Sequence, residues 1–183
     1  MTAPVLVLAL LGTATVAVPP ASETAAAREQ ARLCEITIGE SSLAACRRAI
    51  EIGLGPARLV PVRQIVARRL AALEKWGDLA EHFREDVALR PGDAEAHLKL
   101  GSALLFGLGR PAEAVAAFSE SIRLAPDGAL AHAFLALALG ASGRSAEAAA
   151  EFAIASRLDE RLFDYRPAMA LAHEASERGE PWP

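Results

Sequence analysis

Apolar residues recur along this chain at three- and four-residue spacing, and no segment alternates strictly between apolar and polar over strand length. Leu59, Val62, Ile65, Val66, Leu70 and Leu73 lie on one side of a 3.6-residue period, which predicts an amphipathic helix over residues 58–75. Gly77-Asp78 reads as a turn, and a second helix at about residues 79–89 runs into Pro91. Upstream, residues 25–38 and 41–52 make another candidate pair around Gly39, with Gly53-Leu54-Gly55-Pro56 as a linker. Near the end, Pro167 opens a helix of about residues 168–178, closed by Gly179 and Pro181-Trp182-Pro183. The expected class is all-α.

Two central stretches repeat each other. His97, Leu100, Gly101, Leu104, Ala114 and Phe118 recur as His132, Leu135, Ala136, Leu139, Ala148 and Phe152, while Pro126 is answered by Glu160. A period of about 34 to 35 residues, with small and bulky apolar positions on two consecutive helices, cannot close a core within one unit, so the units must stack. The small residues leave room for backbones to approach, and Phe118 and Phe152 fill the space between units. Pro91 and Pro126 end second helices; Asp93 and Asp127 are placed to cap the helices that follow. The first unit is one residue longer between its histidine and its second-helix alanine, and the extra residue is expected in the turn Gly107-Leu108-Gly109-Arg110.

These residues resemble the tetratricopeptide repeat, whose pattern is Trp-x-x-Leu-Gly-x-x-Tyr, then Ala-x-x-x-Phe, then Pro. The resemblance implies a right-handed α-solenoid of antiparallel helix pairs with units at 92–126 and 127–160. It also implies a degenerate unit at 56–91, a more degenerate hairpin at 22–55, and a capping helix and tail at 161–183. In such repeats the first helix of each unit lines a concave groove. Carried onto this sequence, the groove residues are Glu95, Leu98, Lys99, Ser102 and Leu105, then Leu130, Ala133, Phe134, Leu137 and Gly140, with Gln64, Ala67, Arg68 and Ala71 from the earlier unit. The carboxylate-clamping variant of the family uses Asn and Lys at such places; Phe134 stands where its Asn is wanted, which disfavours that reading. The resemblance implies a non-catalytic scaffold or adaptor that holds a peptide or amphipathic helix of another protein. The alternative is a membrane-anchored module that regulates or targets an enzyme complex.

Composition narrows the partners. Hydrophobic residues reach 52% with only 5% aromatic, which suits alanine-rich helices. A net charge of -4 argues against nucleic acid, which demands concentrated positive potential. The run Arg58, Arg63, Arg68 and Arg69 reads as a solvated helix face or as a patch that meets an acidic partner.

Residues 5–18 are uncharged and apolar, too short to span a bilayer comfortably but suited to the core of a signal peptide covering residues 1–21, with cleavage after Ala17 or Ala21. No Lys or Arg precedes that core. An exported protein is expected, periplasmic or secreted; an uncleaved anchor and a misassigned start are the alternatives. Cys34 and Cys46 flank the Gly39-Glu40 turn symmetrically, so they face each other across an antiparallel hairpin. A disulfide is possible there, buried reduced thiols are the alternative, and the absence of Cys-x-x-Cys leaves a metal role little support.

The usual catalytic constellations are missing from the sequence. His97 and His132 fall on the repeat's aromatic landmark and are expected to pack; His82 and His173 share no helix with another histidine at ligand spacing. Ser119 and Ser121 lack a Gly-x-Ser-x-Gly elbow, the Gly107–Arg110 segment lacks a phosphate-loop Lys, and Glu81 with Glu85 reads as a solvated face. No metal, cofactor or enzymatic activity is expected.

Overall fold

A computed structural model describes residues 23–162. The proposed signal segment at 1–21, the capping helix at 168–178 and His173 lie outside the described residues. Within them the chain forms eight helices: α1 (Ala25–Ile36), α2 (Gly39–Ile52), α3 (Pro56–Ala72), α4 (Trp76–Leu89), α5 (Ala94–Ser102), α6 (Pro111–Leu124), α7 (Ala129–Ala141) and α8 (Ser145–Leu158). Each helix packs on the next in chain order, as a linear stack of hairpins requires. The described residues form an all-α solenoid.

The stack is held by small residues set against large ones. Phe118 and Phe152 are fully buried, as are Ala114, Ala136 and Ala148. A Cβ on Gly101 would fall 2.5 Å from the Phe118 ring, so only glycine admits that ring. Ala136, at the matching place in the next unit, is likewise completely buried. Burial of each phenylalanine contributes about 1.5–3 kcal/mol through the hydrophobic effect.

The two landmark histidines secure the entry to their units. Both are buried, and each places Nε2 3.0 Å from the carbonyl oxygen of the proline six residues earlier, His97 on Pro91 and His132 on Pro126. An N–H donated there satisfies a carbonyl that the proline turn leaves outside the helix. Ser121 on α6 likewise donates to the Ala94 carbonyl at the start of α5.

The boundaries depart from the sequence reading at three places. Gly77 and Asp78 form the first turn of α4 instead of a loop, and the reversal falls at 73–75, where Glu74 takes φ 54°. Asp93 caps α5 by accepting from the amides of Glu95 and Ala96, whereas α7 has Gly128 as its N-cap and receives no side-chain bond from Asp127. The extra residue of the third hairpin is not absorbed in the Gly107–Arg110 turn. It widens the helix just before it into a π-turn at Ala103–Gly107, closed by the Leu108 amide on the Ala103 carbonyl at 3.1 Å. The bond that seals the turn spans six residues there, Arg110 to Leu104, and five in the next unit, Arg144 to Leu139. Helical hydrogen bonding is retained by widening, which is cheaper than exposing unpaired amides in a tight loop. The π-turn also brings Gly107 against Trp76 at the start of α4, where a Cβ would lie 2.7 Å from the indole.

The first hairpin carries no repeat landmarks and is held differently. Cys34 and Cys46 are completely buried with their sulfurs at bonding distance, 2.08 Å, linking α1 to α2. Such a link closes a short loop of the unfolded chain and stabilises by about 3 kcal/mol. Buried Ser42 donates to the Cys34 carbonyl and accepts from Arg69 Nε, while Arg69 Nη2 donates to the Thr37 carbonyl. Arg69 thus fastens the disulfide hairpin to α3.

Gly101→Ala should lower unfolding free energy by about 1–2 kcal/mol, the clash with Phe118 exceeding the gain in helix propensity. Gly92→Ala, whose Cβ meets nothing within 4 Å, should change it by less than about 0.5 kcal/mol. Urea denaturation of the two variants beside the natural chain makes the comparison.

Candidate functional site

The concave side of the stack opens over α4, between α3 and α5, as a groove of about 770 Å³. Its walls are set by helical period. On α3, Val60, Gln64, Ala67 and Ala71 fall on one stripe with Arg68 beside them; on α4, Leu79, Phe83, Asp86 and Arg90 make the floor; on α5, Glu95, Ala96 and Lys99 close the far side. The small side chains of Ala67, Ala71 and Ala96 create the space. Leu89 and Val60 at one mouth are 62% and 46% exposed, an apolar surface left uncovered by the fold.

The charges around the groove are mostly paired. Arg90 bonds Asp93 and Lys99 lies 3.4 Å from Glu95. Arg68 and Gln64, one helical turn apart on the α3 rim, make no hydrogen bond or ion pair with any described residue.

Beneath the α3 rim lies a buried ionic node. Arg63 donates from Nε to Asp86 at 2.5 Å, from Nη2 to the His82 carbonyl at 3.0 Å and from both Nη atoms to Glu85 at 3.2–3.3 Å. His82 returns the contact by donating from Nε2 to the Arg63 carbonyl at 3.0 Å. Arg63, Asp86 and His82 are all buried. Burial holds the His82 pKa below its usual value, and the Arg63 charge adds to that; the Asp86 carboxylate opposes it. The node joins α3 to α4 and forms the partition between the groove and a smaller cleft of about 340 Å³ on the opposite side, lined by Arg47, Ile50, Glu51 and Glu81 among others.

These positions correct the reading of Arg58, Arg63, Arg68 and Arg69 as one solvated face or patch. Arg63 and Arg69 point inward to bind neighbouring helices, exposed Arg58 pairs with Glu23, and exposed Arg68 has no partner among the described residues. Alternating side chains on one helix serve three directions, which charge spacing alone does not reveal.

The groove residues expected from the sequence divide into two sets. Arg68, Glu95 and Lys99 line the groove, with Gln64, Ala67 and Ala71. Leu98, Leu105, Leu130, Phe134 and Leu137 are partly buried and packed on the core, and Ser102 donates to the Leu98 carbonyl of its own helix. Ala133 is completely buried and so faces no ligand. Phe134 sits between Phe118, 5.7 Å away by ring centroid, and Phe106, 5.2 Å away edge-to-face. Phe106 is turned outward by the π-turn and is 57% exposed. This aromatic pair links the π-turn to α7. The α4 contribution of Phe83, Asp86 and Leu89 escaped the sequence reading, although the spacing Leu79, Phe83, Asp86, Arg90 already marks one stripe of that helix.

Among the described residues no group of three or more His, Cys, Asp and Glu side chains is placed to hold a metal ion. A model of the tetratricopeptide repeat matches residues 67–129 and again 104–161, together more than half of the 183 residues. The chain belongs to the tetratricopeptide repeat family. No curated protein matches it in sequence. Among solved structures it is similar to residues 41 to the end of MamA from Desulfovibrio magneticus RS-1, with 18% identity over 86% of this chain and 92% of that one and a TM-score of 0.68. MamA of MSR-1 is 24% identical over 67% of this repeat protein and 68% of its own chain, at a TM-score of 0.55. YrrB, described as a TPR protein with an unusual peptide-binding site, is 18% identical over 82% and 75%, at 0.57. These likenesses establish the fold of this repeat protein.

Removing one partner of the ionic node should cost far more than removing both. Asp86→Asn should destabilise by about 3–5 kcal/mol, and Arg63→Met combined with Asp86→Leu by much less. Because the folded-state pKa of His82 lies below its unfolded value, the unfolded chain binds the extra proton first, so stability should be full above about pH 6.5 and fall as pH drops below it. His82→Gln should flatten that slope in denaturation measured between pH 5 and 8.

Proposed function

We propose that this repeat protein is a non-catalytic scaffold that binds a peptide or amphipathic helix of another protein in the groove between α3 and α5. The observation that carries the reading is the 770 Å³ groove itself: apolar side chains from all three helices, small residues that make room, and charged groups that are mostly paired with one another. An occupant that covers Val60, Leu89 and Phe83 gains about 25 cal/mol for each Å² of apolar area removed from water. Membership of a family built on stacked hairpins supports an interaction surface, and a neighbour described as peptide-binding shares the fold.

Panning a phage-displayed peptide library on the chain tests this. Selected peptides should bind the natural protein and lose about tenfold or more in affinity to Ala67→Trp, which fills the groove. Affinity unchanged by Ala67→Trp and by Ala71→Arg would place binding elsewhere.

We further propose that the protein is exported, residues 1–21 acting as the signal. The apolar run at 5–18 supports export, and a Cys34–Cys46 bond persists in oxidising compartments. No described helix is long and apolar enough to cross a membrane, so the anchored alternative rests on an uncleaved segment 1–21. In denatured protein taken from cells, Cys34 and Cys46 should resist alkylation until a reductant is added, whereas a variant lacking residues 2–21 should be alkylated at once. Free thiols in both would contradict export.

A further inference from the structure

The groove combines apolar walls with one uncompensated charge, and that combination restricts what can occupy it. Three of its ionic contacts cancel internally: Arg63 with Asp86, Arg90 with Asp93, and Lys99 with Glu95. Arg68 has no such partner among the described residues. Around the groove there are four cations, Arg63, Arg68, Arg90 and Lys99, against three anions, Asp86, Asp93 and Glu95, on a chain whose net charge is -4. Glu85, which also pairs with Arg63, lines the cleft on the other side, so the charge left open toward the groove is that of Arg68. Gln64, one turn before Arg68 and also unpartnered, adds a neutral donor and acceptor on the same rim.

Resting on the groove reading above, we propose that the occupant is an apolar segment that carries an acidic side chain, seated so that its carboxylate meets Arg68 while its apolar side chains lie against Ala67, Ala71, Phe83 and Leu89. The guanidinium presents a planar fork of donors that a carboxylate accepts in two places, and at the edge of a bound apolar segment it is less screened than in free solvent. Arg68 projects from the same helix as the apolar stripe, which fixes the acid beside the apolar contacts and not at the ends of the segment. A basic occupant is disfavoured by the same charge, and the acids that could receive it, Asp93 and Glu95, are already engaged by Arg90 and Lys99. Specificity then comes from sign and affinity from the floor.

Fluorescein-labelled ten-residue peptides of Leu and Ala, with a single Glu, Gln or Lys at each position in turn, test the proposal by polarisation at low and at physiological salt. The Glu series should contain a position that binds about two- to fivefold tighter than its Gln counterpart, with Lys weaker than both, and the difference should shrink as salt rises. Arg68→Glu should reverse the order so that the Lys peptide binds best, while Arg48→Glu, remote from the groove and paired with Glu51, should leave it unchanged. A Glu preference that survives Arg68→Glu, or Lys peptides that bind the natural chain best, would overturn the proposal. Peptides that bind without regard to charge yet are lost in Ala67→Trp would overturn it and leave the groove reading intact. Peptides indifferent to Ala67→Trp would sink both. Self-association of the labelled chain that Ala67→Trp abolishes, with no peptide bound, would assign the groove to a second copy and also overturn the proposal.

Discussion

Close approach of helices is the constraint on which the stack depends. Two hairpins can bury their apolar faces only if one side of each contact is nearly empty: Gly101 provides that emptiness for the Phe118 ring, and Ala114, Ala136 and Ala148 are fully buried small residues in the same core as Phe152. The ring of Phe118 occupies the volume a Cβ on Gly101 would need, so helix spacing at that point is set by one hydrogen atom. Position, more than composition, does the organising: alanine is abundant throughout, but only the alanines opposite a ring decide where helices meet.

The N-terminal half reaches the same architecture without those pairs. Between α3 and α4 the ring contact is replaced by the Arg63, Asp86 and His82 node, and between α1 and α2 by a covalent link. Charges substitute for a ring at a cost, since each must be desolvated and then fully satisfied. The return is spatial. An ion pair lying flat between two helices leaves the volume above it unfilled, and the groove occupies that volume.

Much of this was legible in the residues. The repeat of His97 to Phe118 at His132 to Phe152 determines the fold, because small-to-large contacts at fixed spacing have few other solutions. Facing cysteines about Gly39 read correctly as a pair within reach, because an antiparallel hairpin fixes that geometry locally. The groove was legible in part. Arg68, Glu95 and Lys99 follow from helix period, but Leu98, Phe134 and Leu137 turn onto the core because that choice depends on what the neighbouring helix offers. The inward directions of Arg63 and Arg69 depend likewise on partners 19 to 32 residues away, such as His82 and Thr37, that no local pattern contains.

The π-turn at Ala103–Gly107 has a consequence for the surface between α5 and α7. One inserted residue in a loop tip would leave the neighbouring side chains where they were; inserted in the last helical turn, it comes with a half-exposed Phe106 set edge-to-face on Phe134. Counting repeats therefore overstates how regular that surface is. A single codon alters its relief, and a relative without it would present a more even face from the same number of units.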